Sequence, residues 1–195
     1  MKTRQHSSMW SRLRNSAVAL RRDCRGLAAV EFALVIPLML VMFFGTNEFS
    51  TGVAVDRKVT LMARTLSDLT SQNLTVTDTQ FTNFFNASKA IMSPYATTPL
   101  LATITELYVD PATLVARVQW SKGSTPRTAG TSVTIPTALQ VGGTYLIYSE
   151  VNYKFIPSVA WFINKTNGIT LTDFSYTRPR QSTCVMYNTT VCTTS

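Results

Sequence analysis

Residues 27–46 read Leu-Ala-Ala-Val-Glu-Phe-Ala-Leu-Val-Ile-Pro-Leu-Met-Leu-Val-Met-Phe-Phe-Gly-Thr, twenty positions with a single charge, Glu31. Coiled as a helix, that length covers ~30 Å, the thickness of the hydrocarbon layer of a bilayer. The stretch predicts a transmembrane helix over residues 27–47. Its wholly uncharged part, Phe32–Gly45, is 14 residues long, which also fits the core of a cleavable secretory signal. The best small-residue cleavage site, Gly52-Val53-Ala54, lies beyond Asn47 and Glu48, too far from the apolar core to suit signal peptidase. An anchor is the better reading. Pro37 falls inside the span, where it removes one backbone hydrogen bond and predicts a kink that membrane helices tolerate.

What flanks the span sets its direction. Lys2, Arg4, Arg12, Arg14, Arg21, Arg22 and Arg25 precede it against one acid, Asp23, so residues 1–26 carry +6 of the net charge of +8. A pI of 9.7 would suggest nucleic-acid binding if the charge lay on a folded domain. Here it forms a basic leader before an apolar run, which places the leader in the cytoplasm and the rest of the chain across the membrane. Nucleic acid is therefore not an expected partner; the membrane is. Charged residues make up 14% of the chain, well under the ~25% of an ordinary soluble domain.

Beyond the span the helix is expected to continue over residues 48–72. Val55, Val59, Met62, Leu66 and Leu69 recur at helical spacing, with Asp56, Arg57, Lys58, Arg64 and Asp68 between them. Residues 73–195 then read as a periplasmic α+β domain. Thr77-Asp78-Thr79-Gln80 has the capping-box spacing and opens a second helix with Phe81, Phe84, Phe85, Ala87 and Ile91 inward, ending before Pro94. After Pro99 the pattern turns β-branched and aromatic, with candidate strands at 102–109, 113–120, 131–136, 144–156 and 169–176. Lys122-Gly123 and Gly142-Gly143 are turn signals between them. The expected architecture is a long N-terminal helical spine, a second helix, then an antiparallel β-meander.

Arg25-Gly26-Leu27-Ala28-Ala29-Val30-Glu31-Phe32 carries the most specific pattern: a basic leader ending at glycine, an apolar helix starting at once, and one carboxylate five residues in. This resembles the type IV pilin and pseudopilin signature. The closer likeness, through Gly26, Ala29-Val30-Glu31-Phe32-Ala33 and Pro37, is to the TadE-like (TadE/TadG) pseudopilins of the tight-adherence, type IVc pilus. Tyr176-Thr177-Arg178-Pro179-Arg180 looks like a segment near the C-terminus of that family. The resemblance implies a pseudopilin-like fold and cleavage between Gly26 and Leu27 by a prepilin peptidase. It further implies partners among other pilins and pseudopilins and the pilus assembly platform. Glycine suits a scissile bond that must be closely approached. For Glu31, the resemblance implies pairing with the freed N-terminal amine of a neighbouring subunit. Because an acid inside a membrane costs up to ~2.5–3.5 kcal/mol at the bilayer centre, such a partner matters. The bland alternative is that Glu31, one turn in, reaches the headgroups.

Nothing points to an enzyme or a cofactor. The only histidine, His6, is in the leader, and no nucleophile elbow or phosphate-binding glycine loop occurs. Carboxylates beyond the spine are few: Asp78, Glu106, Asp110, Glu150 and Asp173. No catalytic residues and no metal site are expected. Trp120 and Trp161 read as core or interface aromatics. Cys24 sits in the leader, while Cys184 and Cys192 enclose seven residues in an oxidising compartment and are expected to bridge, ordering a polar tail. The alternative to a pilus-assembly protein is a single-pass anchored periplasmic binding or sensing domain.

Overall fold

The computed structural model describes Ser16, Val18, residues 25–157 and residues 168–192. His6, Cys24 and Trp161 lie outside the described residues. The chain divides into two compact units, Met1–Asn47 and Glu48–Ser195. Helix α1 (Arg25–Ser71) contributes its first half to one and its second half to the other, and continues through Pro37.

In the second unit, α1 is followed by β1 (Thr75–Val76), α2 (Asp78–Ile91), β2 (Leu100–Val109), β3 (Ala116–Gly123), β4 (Ser132–Val133), β5 (Tyr145–Phe155), β6 (Ile169–Thr177) and β7 (Met186–Tyr187). The fold is α+β. Five strands form one antiparallel sheet in the order β4-β3-β2-β5-β6, so β5 returns past β3 and β4 to pair with β2. The remaining two short strands pair in parallel, Thr75 with Met186 and Val76 with Tyr187, and no periodicity in the sequence announces that pairing.

Why α1 packs where it does follows from its stripe. Val55, Val59, Met62 and Leu66 are fully buried, while Leu69 is half-buried. Ala63, Ser67, Thr70 and Ser71 are buried as well, so the inward face is wider than its apolar residues suggest. Small polar side chains fit because they find partners. The Ser149 hydroxyl donates to the Ala63 carbonyl, and Ser67 Oγ lies 3.1 Å from Ser175 Oγ and 3.0 Å from Thr177 Oγ1. Pairing offsets the cost of burying these hydroxyls.

Helix α2 begins at the expected capping box. Thr77 Oγ1 accepts from Gln80 N–H at 3.4 Å and Thr77 N–H donates to Gln80 Oε1 at 2.9 Å. Thr77→Ala is expected to cost ~1 kcal/mol, checked by chemical denaturation. Phe81 is buried, and Phe84 and Phe85 pack partly against the core. Ala87 is exposed, correcting the expected inward set; Ser88 and Met92 take that side. The reason is angular. From Phe81, positions 84, 85, 88 and 92 share one face at 100° per residue, and 87 does not.

β3 also departs from expectation. It begins at Ala116 rather than residue 113 and runs through Lys122-Gly123. A tight turn takes up the difference: Asp110 Oδ1 accepts from the N–H groups of Ala112 (2.7 Å) and Thr113 (3.1 Å), and Leu114 adopts a φ of 57°. Asp side chains stabilise turns in this way. Gly123 has a φ of 140°, and a Cβ there would lie 2.2 Å from the Ala102 carbonyl oxygen, so this position requires glycine. The expected strand 131–136 shrinks to Ser132–Val133, with buried Ile135 beyond it packing on the second apolar layer of Leu107, Val118 and Leu146.

Candidate functional site

From Leu27 to Phe44 the large side chains of α1, all but the half-buried Ile36, are exposed on every side. Leu27, Phe32, Leu34, Leu38, Val41 and Phe43 are all more than 60% accessible. An 18-residue window of this helix has a mean hydropathy of 2.5 and none of it is buried. A soluble surface helix is apolar along one stripe; one apolar all round needs a bilayer or other helices around it. Thr46 is neutralised locally, its hydroxyl donating to the Met42 carbonyl at 2.8 Å. Pro37 offers no N–H to the Ala33 carbonyl.

Glu31 is the exception within this segment. At 100° per residue it shares a stripe with Leu27, Val35, Leu38 and Met42, all apolar. Its side chain is exposed, and it takes no part in the ion pairs Lys122–Asp78, Arg127–Glu150 and Arg180–Asp68. Gly26 stands one residue before the apolar run, with nothing within 4 Å of a Cβ added there. Gly26, Leu27, Glu31 and Pro37 thus lie on one helix, open on all sides.

The domain half of α1 is joined to the chain's last third. Asp173 on β6 accepts from Thr60, Arg180 pairs with Asp68, and Arg180 N–H donates to the Ser71 carbonyl at 2.9 Å. Tyr176 stacks on Tyr148 with ring centroids 4.7 Å apart. The Tyr176–Arg180 segment therefore closes onto α1.

Residues 26–66 match the family model described as TadE-like protein. Over this stretch the chain is similar to the TadE-like family. No curated protein and no solved structure matches it significantly. The matched family is one of pilus-associated structural proteins, and the helix that carries the match is long and apolar enough to cross a membrane. The TadE-like segment covers the span, Glu31, Pro37 and most of the buried stripe, ending at Leu66.

Sequence reasoning missed what holds the tail. Cys184 and Cys192 form a disulfide with Cα atoms 6.1 Å apart, but Val185 between them is itself fully buried. Its N–H donates to Glu106 Oε1 at 2.6 Å and its carbonyl accepts from Trp120 Nε1 at 2.8 Å. The bridge is not all that holds this segment: a buried carboxylate, an indole and the β1 pairing grip it as well. Burial pushes the Glu106 carboxyl up to about 8, against the opposing pull of its bonds to Val185 and Trp120. Only the run Thr105-Glu106-Leu107 inside a strong strand hinted at this, since an acid on a β-pattern's inward face needs a partner.

A cleft of about 400 Å³ opens between the first turns of α2 and the end of β3, lined by Asp78, Phe81, Phe85, Lys89, Lys122 and Ser124 among others. Tyr187 Oη donates to Asp78 at 2.7 Å, and with Lys122 3.3 Å away this holds the Asp78 carboxyl below its ordinary range. Among the described residues no group of three His, Cys, Asp or Glu is placed to hold a metal.

Proposed function

We propose that this chain is a minor pseudopilin or pilus-assembly protein of the tight-adherence system, working by helix packing and protein contacts rather than by catalysis. What carries the reading is Glu31: one carboxylate, with no ion-pair partner among the described residues, on an apolar helix that matches the TadE-like model from Gly26 onward. A peptidase cut between Gly26 and Leu27 removes the basic leader and frees an amine one turn from Glu31 in sequence. In a bundle of such helices the carboxylate of one subunit neutralises the amine of the next, setting the axial register. A desolvated charge that loses its partner is costly, so misregistered helices are rejected. The N-terminus faces the cytoplasm before processing and the domain faces the periplasm, as the +6 leader demands.

Two measurements test this. The intact mass of the chain recovered from its native membrane is expected to begin at Leu27. Glu31→Ala is expected to insert as well as the parent or better, having lost an intramembrane charge, yet to abolish assembly of surface pili. Retention of the leader in cells with an active prepilin peptidase, together with normal pili from Glu31→Ala, would favour an anchored binding domain using the α2–β3 cleft.

A further inference from the structure

The α2–β3 cleft lies wholly within the Glu48–Ser195 unit, and its charge differs from one end to the other. Positions 78, 81, 82, 85, 86 and 89 form the α2 wall, at alternating spacings of three and one. The cleft therefore follows one face of the helix for ~16 Å. Its floor is apolar. Phe81, Leu100 and Ala102 are buried, and Phe81 packs on Trp120 with ring centroids 5.4 Å apart. Phe85 is only half-buried, which leaves part of its ring open to an occupant. Two lysines stand along the walls. Lys122 lies 3.3 Å from the Asp78 carboxylate and 4.6 Å from the centre of the Tyr187 ring, so its charge is answered within the fold. Lys89, about three turns further along α2 than Asp78, is exposed and takes no part in the ion pairs Lys122–Asp78, Arg127–Glu150 and Arg180–Asp68.

We propose that this cleft is a docking groove for an extended acidic segment of a partner polypeptide, which lays an aliphatic side chain against Phe81 and Phe85 and turns a carboxylate to Lys89. Charge complementarity chooses the occupant. One unanswered cation beside an apolar floor matches one carboxylate, whereas a nucleic acid calls for a row of cations along its phosphates. At the other end Asp78 repels an acid, which fixes the direction in which the segment lies. Shape chooses its conformation. The cleft holds about 400 Å³, at the small end of binding pockets, and a partner helix ~10–12 Å across is too wide to sink into it. About five extended residues, at ~3.3 Å each, span the α2 wall. The apolar contact supplies affinity and the Lys89 pair supplies selectivity, as charges at the edge of an interface do. This docking goes beyond the assembly role of Glu31 and needs neither the leader nor the cut at Gly26.

The full chain in detergent micelles is presented to a phage library of random heptapeptides, with empty micelles as the blank. The expected enrichment is for peptides that place Asp or Glu beside Leu, Ile, Val or Phe. The strongest of them, synthesised with a fluorescent label, is expected to lose about fivefold in affinity on Lys89→Glu, read by anisotropy. The loss shrinks in ~0.5 M salt. Arg57→Glu, which reverses an exposed cation of the same unit outside the cleft, is expected to change nothing, and Lys89→Glu is expected to enrich basic peptides in a second selection. Lys89 is exposed, so its substitution is expected to leave the denaturant midpoint where it was. No enrichment over empty micelles overturns the groove, and so do acidic peptides that bind Lys89→Glu and Arg57→Glu alike. A third contrary result is disulfide cross-linking between copies through Asn86→Cys, in a Cys24→Ser background, that the peptides do not displace, since a second copy then fills the cleft. The same peptides are expected to bind Glu31→Ala as they bind the parent, so the pilus assay and the peptide assay fail or succeed separately.

Discussion

Replacing Glu106 with glutamine is expected to stabilise the domain at neutral and alkaline pH and to remove most of its pH dependence between about 4.5 and 8. Folding places this carboxyl at 2% accessibility and raises it from 4.5 to about 8. Over that window the folded protein holds a proton the unfolded chain has released, so stability falls as pH rises, by at most ~1.4 kcal/mol per unit. Across the window the loss is on the order of 4 kcal/mol, a large share of the ~5–15 kcal/mol a domain has. Below 4.5 both states are protonated and above 8 both are ionised, so the slope vanishes outside it. Glutamine keeps an oxygen for the Val185 N–H and carries no charge to desolvate. The variant should match the parent near pH 5 and exceed it by a few kcal/mol near pH 8.5, read from denaturant midpoints of the full chain in micelles. Asp78 and Asp110, both lowered in the fold, act with the opposite sign: their stabilisation is present above ~3.8 and lost as pH falls through their folded values. They leave the Glu106 window clear. Equal slopes for parent and variant would show that the carboxyl is ionised in the fold.

Trp120→Ala is the second large expectation. Trp120 is 5% accessible, packs on Phe81 (5.4 Å between ring centroids) and Tyr187 (5.9 Å), and gives its Nε1–H to Val185. Truncating a buried aromatic costs ~3–5 kcal/mol through lost transfer energy and the cavity left behind. The unpaired Val185 carbonyl adds to this. Trp120→Phe separates the terms, because it keeps most of the packing and removes only the hydrogen bond, at ~1–2 kcal/mol. Both variants should also release the tail, seen as faster proteolysis beyond Arg180. A tail still protected in Trp120→Ala would mean that the disulfide and the β1–β7 pairing suffice without the indole.

Trp120 and Glu106 face each other across β2 and β3, and together they show why the tail was misjudged from the sequence. Residues 181–192 read Gln-Ser-Thr-Cys-Val-Met-Tyr-Asn-Thr-Thr-Val-Cys, a polar run with two cysteines and scattered apolar residues. No period marks Val185 as core, because one residue inserted between two strands leaves no repeat to read. Ala87 differs for a smaller reason: apolar character alone suggests burial there, whereas helical geometry turns it outward and Ser88 inward.

The α1 stripe, the capping box at Thr77 and the apolar span were legible because each is a local regularity. Helical period, a cap three residues from its partner and twenty residues without a compensating charge all express themselves within one element. So did the TadE-like likeness, whose residues are contiguous. Strand order, the parallel β1–β7 pair and the burial of Glu106 belong to the tertiary structure alone. Each joins residues dozens of positions apart, and a contact between distant segments is decided by which surfaces fit when the chain closes on itself, a quantity that no window along the sequence contains.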